Sequence, residues 1–475
     1  MKKVIYLSGI LSAFTIIGQD KVAIKFAKTI KSKDLKSHLS ILASDEYEGR
    51  ETGKPGQKKA AQYIAAHFKK LGLEGPVDGS FLQKFDLQEA QIGNVYFRKD
   101  EKKKVGFEDF IYYSSAETSG EEYVKLKVAD EETDPESLQG FYVVYRTEKL
   151  DGYREFAKKS TESGAAGFLV ILENEDAFNA TISRFGPYLK QPRLSLDQRD
   201  ESSTKLLIGG TALAEWLFDK DYDAIKIGDE AISIFNADYL DKPVPTENVL
   251  GYLKGTEKPD ELLVITSHYD HVGIIDSAIH NGADDDGSGT VTVLEIAEAF
   301  AMAAEKGKGP KRSVLFMTVT GEEKGLLGSR YYTDFDPVFP LENTVSNLNI
   351  DMVGRVDEAH ADNPAYVYLI GSDKLSNTLH DLSEEMNETY TKLELDYTYN
   401  DENDPNRFYY RSDHYNFAKN NIPIIFYFNG THPDYHQPTD TIEKIDFDTM
   451  RKRAKLVFHT AWEVANREER IKADL

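Results

Sequence analysis

Residues 262–273 read LLVITSHYDHVG. The first six form a short, nearly continuous apolar run, and polar residues begin at once after it. A run of that length and texture is a buried strand, and its lack of polar alternation places it in a sheet covered on both faces. Four further runs share the pattern: VLFMTVT (314–320), NLNID (347–351), YVYLI (366–370) and IIFYF (424–428). Helical patterns lie between several of them. One is built on Val293, Leu294, Ile296, Ala297, Phe300, Ala301 and Ala304. Strands alternating with helices predict an α/β fold with helices on both faces of a mixed, mostly parallel sheet.

The polar residues just past the strands carry the chemistry. LLVITS runs into His268, Tyr269 and Asp270. VLFMTVT runs into Gly321, Glu322 and Glu323. NLNI ends in Asp351, and Tyr435-His436 comes soon after IIFYF. Ligands of open α/β sheets bind beyond the carboxyl ends of the strands, so these segments are expected to meet at one edge. A further loop, NGADDDGSG (281–289), sets Asp284, Asp285 and Asp286 among three glycines ahead of a helix. Crowded carboxylates are tolerable when a cation sits among them. Glycine lets the chain turn tightly enough for one carboxylate to point inward. Two imidazoles and three acids offer the nitrogen and oxygen donors that suit zinc. Five donors exceed the usual three of one catalytic zinc, which suggests two ions sharing a carboxylate. Asp270 lies two residues from His268 and is placed to accept its second ring proton.

Bulk composition narrows the classes. The chain has 475 residues, enough for two domains, and a formal charge of −24. So acidic a chain lacks the basic patches that nucleic acid or an anionic membrane calls for. There is no cysteine, so disulfides and thiolate ligands are excluded. The first residues, MKKVIYLSGILSAFTIIG, have a basic start, an apolar middle and a small residue at the end. They read as a signal peptide over 1–18. Export to the periplasm or outside the cell is the expectation, with no membrane association after cleavage.

Residues from about 21 to 85 read as helical. In GQKKAAQYIAAHFKKLGL, Ala61, Ile64, Ala65, Phe68 and Leu71 share a face, and Gly72 is the stop. From about 87 to 243 the texture changes. FYVVY (141–145), YREFAKKSTESG (153–164) and FLVIL (168–172) predict a strand, a helix and a strand of a separate small α/β unit. The domain expectation is therefore 1–18 signal peptide, 19–86 first part of the main domain, 87–243 insert, and 244–475 remainder of the main domain.

The motifs SHYDHVG, NGADDDGSG, TGEEKGLLGS, NIDMVG and YHQPTDT together resemble the zinc-dependent aminopeptidases of metallopeptidase clan MH, of the aminopeptidase Y and aminopeptidase S type. YEGRETGKPG and its following helix look like the start of the same domain, and the 87–243 segment resembles that family's protease-associated (PA) insert. The resemblance implies a zinc-peptidase fold and two Zn2+ per chain. His268 and Asp351 would bind one zinc, Glu323 and His436 the other, with Asp285 bridging. Glu322 would be the general base toward a metal-bridging hydroxide, and Tyr435 would hydrogen-bond the oxyanion. The peptide after Asp285 would be cis. Substrates would be peptides with a free N-terminus.

Three other functions compete. A deacylase or carboxypeptidase of the related dizinc branch would insert a lid before the last histidine ligand, and only 85 positions separate Asp351 from His436. A glutaminyl cyclase of the same fold would use one zinc, and the five-donor set favours two. A non-catalytic peptide-binding relative would have lost ligands, and none is missing here.

Overall fold

The protein is described by a computed structural model over residues 19–198 and 203–475. The leader read at 1–18 lies outside the described residues. The described residues form two compact units, one from 19–85 and 246–475 and the other from within 86–245. The chain passes between them within the strands Leu82–Lys99 and Glu230–Leu253.

In the first unit the strands stand in the order Glu394–Asp396, Tyr366–Ile370, Ile424–Phe428, Thr344–Ile350, Lys258–His268 and Arg312–Val319, ending on the last residues of Glu230–Leu253. Lys258–His268 is parallel to both neighbours, with Leu263 beside Val314 and His268 beside Val319. Thr344–Ile350 is also parallel to Ile424–Phe428. The Tyr366–Ile370 and Ile424–Phe428 pair is antiparallel, as is the edge at 249–253. The sheet is thus mixed and mostly parallel.

The opening run explains why both faces are covered. Leu263 and Ile265 enter a core with Leu294, Phe300 and Phe458 on one face. Leu262 and Val264 enter another, with Leu315, Met317, Tyr332 and Phe417, on the opposite face. Burying each such side chain contributes about 1.5–3 kcal/mol. A strand apolar on both sides could slip by one residue at little hydrophobic cost. Buried polar pairs select the register instead. Thr266 Oγ1 donates to Asn349 Oδ1 at 2.6 Å, and Asn347 Nδ2 donates to Thr266 Oγ1 at 2.9 Å.

The helix expected before Gly72 spans Pro55–Lys70, with proline in its first turn and basic residues in its last. Gly72 follows at φ +77°, a left-handed stop. Ala61, Ile64 and Phe68 are buried on its inner face. The helical reading of 21–85 runs too far, because Leu82 already begins a strand. Composition there is mixed, and only pairing with distant segments makes it extended.

The second unit has its own sheet, ordered from the first residues of Glu230–Leu253 through Glu122–Val128, Phe141–Thr147, Gly167–Leu172 and Leu206–Gly209 to Phe110–Tyr112. The strand–helix–strand expected at 141–172 is present, with its helix at Tyr153–Glu162. Val144, Leu169 and Ile171 face one core and Val143, Phe168 and Val170 the other. Among the described residues no helix is long and apolar enough to cross a membrane.

Candidate metal centre

The strand ends of the first unit deliver the polar residues to one place. His268 closes its strand, Asp351 comes directly after Thr344–Ile350, and Glu322 and Glu323 come after Arg312–Val319. His268 Nε2 lies 3.4 Å from Asp285 Oδ1 and 3.6 Å from Asp351 Oδ1. His436 Nε2 lies 3.0 Å from Asp285 Oδ2 and 3.1 Å from Glu323 Oε2. Asp285 thus turns one oxygen toward each group. Glu322 Oε2 stands 3.7 Å from His268 Nε2, on the same side as Asp351.

The three consecutive aspartates have three different jobs. Asp285 faces the imidazoles. Asp286 accepts the backbone N–H groups of Gly289 at 2.8 Å, Met352 at 3.0 Å and His268 at 3.2 Å. It ties two strand ends to the start of the Gly289–Glu305 helix. Asp284 accepts from Gly354 N at 2.7 Å and Ser288 Oγ at 3.0 Å, and its other oxygen lies 3.1 Å from His432 Nε2. Gly282 turns the chain at φ +53°. A Cβ at Gly289 would collide with the Asp286 carboxylate and the Ile350 carbonyl. The Asp285–Asp286 peptide is cis.

Outer groups hold the inner ones. Asp440 accepts the N–H groups of Asp284 at 3.0 Å and Asp285 at 3.2 Å. Asp351 Oδ2 accepts from Ser412 Oγ at 2.6 Å, which leaves its Oδ1 toward His268. Asp270 differs from the sequence expectation. His268 Nδ1 is 3.1 Å from the main-chain carbonyl of Asp270 and 3.8 Å from its carboxylate. That carboxylate instead accepts from Thr52 Oγ1 at 2.7 Å and Glu322 N at 3.3 Å. The tight turn after the strand brings the carbonyl to the ring and swings the side chain onto the Glu322 loop. Asp270 therefore positions both His268 and Glu322, through different atoms.

Tyr435 stacks on His436 with ring centroids 4.0 Å apart, and its hydroxyl accepts from Arg411 Nη2 at 3.3 Å. Tyr435 and Arg411 line the recess that also exposes His268, Asp285, Glu322 and Asp351. His414, in contrast, is structural: its Nε2 is bonded to the Tyr409 carbonyl and its ring stacks on Phe426.

Three contributors escape sequence reasoning. His271 is fully buried with Nδ1 2.8 Å from Glu323 Oε1, so it belongs to the centre and is not merely nearby. The HYDH spacing shows that it is close but not which way it turns. Arg50, in the loop EGRETGKPG, is 1% exposed and donates to the carbonyls of Tyr269, Leu42, Asn281 and Gly282 at 2.7–2.9 Å. Thr52 has no signal beyond lying in that loop.

The donor set fits divalent cations. Asp285 Oδ2, Glu323 Oε1 and both His271 nitrogens are buried with no aligned hydrogen-bond partner among the described residues. Such atoms are costly unless something else engages them. His268, Asp285 and Asp351 can converge on one ion, and His271, Asp285 and Glu323 on a second, beside His436. Without cations, protons must balance the acids. Against burial, Asp285 and Glu323 raise His436 to about 10. Against burial too, Glu322, Asp351 and Asp285 raise His268 well above the usual range. Glu323 is held down to about 2 by His271 and His436, although burial and Asp285 oppose it. Burial is the main cause that pushes Glu322 well above the ordinary carboxylate range, with Glu323 and Asp351 adding to it against the pull of His268.

A probable leucine aminopeptidase of Arthroderma otae is 31% identical over 216 residues, covering 44% of this chain and 55% of that protein. An aminopeptidase of Bacillus subtilis is 28% identical over 234 residues, covering 48% of this chain and 46% of that one. This chain spans about half the length of these curated relatives. The solved aminopeptidase from Aneurinibacillus sp. strain AM-1 superposes with a TM-score of 0.56 at 19% identity, covering 95% of this chain and 98% of that one. At that identity the likeness concerns the fold. The sequence profile of Peptidase family M28 matches residues 248–461, the stretch that supplies all five expected ligands.

Proposed function

We propose that this protein is an exported zinc-dependent aminopeptidase that removes N-terminal residues from peptides. The carrying observation is Asp285, which turns one oxygen to His268 and Asp351 and the other to Glu323 and His436. His268 with Asp351, and Glu323 with His436, would hold two Zn2+ bridged by Asp285, and His271 backs the second pair. Bound there, the ions supply Lewis acidity for the water and the scissile carbonyl. Glu322 takes the proton of the attacking water and returns it to the leaving amine. Its side chain, 11% exposed, is sheltered enough to keep that proton from bulk water. Asp270 fixes Glu322 through its backbone N–H, and Tyr435 donates its hydroxyl to the developing oxyanion. The relatives' names support an aminopeptidase, and the 1–18 leader supports export. Residues 87–243 are read as a PA-like insert on the sequence resemblance.

A panel of aminoacyl-4-nitroanilides, assayed with and without chelator, tests the proposal. Cleavage of free aminoacyl substrates, loss with chelator, recovery with zinc and two zinc ions per chain are expected. Equal cleavage of N-acetylated peptides would point to an endopeptidase or deacylase instead.

A further inference from the structure

Arg411 sits in a setting that its sequence does not foretell. In RSDHYNF it reads as a residue for substrate contact or for a structural salt bridge, the second being the simpler, yet among the described residues no carboxylate lies within ion-pair distance of it. This is notable in a chain of 81 acidic and 57 basic residues. The neighbouring acids are engaged locally. Asp404 accepts from the N–H groups of Asn406 and Phe408, and Asp401 from that of Asn403. Among the described residues the exposed guanidinium has only neutral hydrogen-bond partners, the Tyr435 hydroxyl at 3.3 Å and the Asn406 carbonyl at 3.5 Å. It lies 4.9 Å over the Phe408 ring, which fixes its plane.

Its position gives the cation a use. The recess beside Glu322 is walled by Phe408, Phe426, Phe428 and Met352, and Arg411 is the one Lys or Arg among the described residues lining it. The recess has about 30 Å³ of free volume, room for a small polar group such as a carboxylate and not for a length of peptide. Its aromatic walls suit a methylene stem, and the planar fork of arginine matches a carboxylate in a two-point hydrogen bond. A carboxylate would displace the two long bonds to neutral oxygens.

We infer that Arg411 determines specificity by receiving the side-chain carboxylate of an N-terminal glutamate or aspartate. This rests on the aminopeptidase reading above. Glutamyl- and glutaminyl-4-nitroanilide test it directly, because they match in shape and differ in side-chain charge, and neither carries a carboxylate on the leaving side. In the zinc-loaded wild-type protein, kcat/KM is expected to favour the glutamyl substrate by about tenfold. Arg411→Met should bring that ratio close to one, and Arg411→Lys should keep part of it. The ratio also cancels any change that reaches Tyr435. In parallel, calorimetry should show free L-glutamate binding more tightly than L-glutamine to wild type but not to Arg411→Met. A wild-type ratio near one, or a ratio unchanged in Arg411→Met, overturns the inference. If leucyl-4-nitroanilide is cleaved while glutamyl and glutaminyl substrates are not distinguished, this inference alone falls. If no anilide is cleaved but glutamate still binds through Arg411, the carboxylate site stands and the peptidase reading falls.

Discussion

Glu322 and Glu323 are neighbours in the chain, yet the fold gives them opposite surroundings. Glu323 meets two imidazoles, while Glu322 meets His268 and the other acids. Glu322→Gln keeps the shape and removes the proton carrier. It is expected to retain zinc, measured by metal analysis, and to lose about 10²–10⁴-fold in kcat. Undiminished turnover would remove Glu322 from the mechanism. The five expected donors converge in the fold, and the sequence singles them out because each lies past a strand end or sits in a glycine-rich turn. The direction of each side chain is not legible in the sequence. Asp270 and His271 stand within three residues of His268, and only the turn after the strand decides that the Asp270 carbonyl meets the ring and that His271 reaches Glu323.

Two elements organise the centre from outside. Arg50 donates to four main-chain carbonyls around the centre, those of Leu42, Tyr269, Asn281 and Gly282, and the last of these also accepts from Gly287 N. Arg50→Met should destabilise the protein by about 3–5 kcal/mol, read from denaturant midpoints, since each orphaned carbonyl is costly. Asp440 holds the amides that aim Asp285, so Asp440→Asn should weaken zinc binding about 10–100-fold in a chelator competition while the fold persists. The Gly289–Glu305 helix carries a different burden. Glu295 is 2% exposed, its Oε1 has no hydrogen-bond partner among the described residues, and burial, with Glu298 and Asp34, raises it from 4.5 to about 8. A carboxyl that ionises at 4.5 when unfolded and near 8 when folded penalises the folded state increasingly as pH rises between those values. Glu295→Gln should therefore leave stability near pH 4.5 little changed and raise it at pH 8 by about 1–3 kcal/mol. Calorimetry at the two pH values checks the sign, and an equal gain at both would contradict it.

Across the whole molecule, metal and folding are linked. A cation that binds only the folded chain stabilises it by about 2.7 kcal/mol at a hundredfold excess over Kd. Chelation should lower the melting temperature and the hydrogen-exchange protection of Lys258–His268. Protection of Gly167–Leu172, in the other unit, should stay the same. Loss in both strands alike would mean the two units unfold together. The order of strands and helices, the mostly parallel sheet and the residue types of the centre were determined by the sequence itself. Apolar runs, glycines and strand-end polar residues are local features, and they state their own periodicity. Tertiary structure alone decided that Leu82 begins a strand, that Arg50 closes the centre from a distant loop, and that Arg411 stands without an acidic partner among the described residues. Those outcomes depend on which remote groups share a volume, and no local pattern in the chain encodes that proximity.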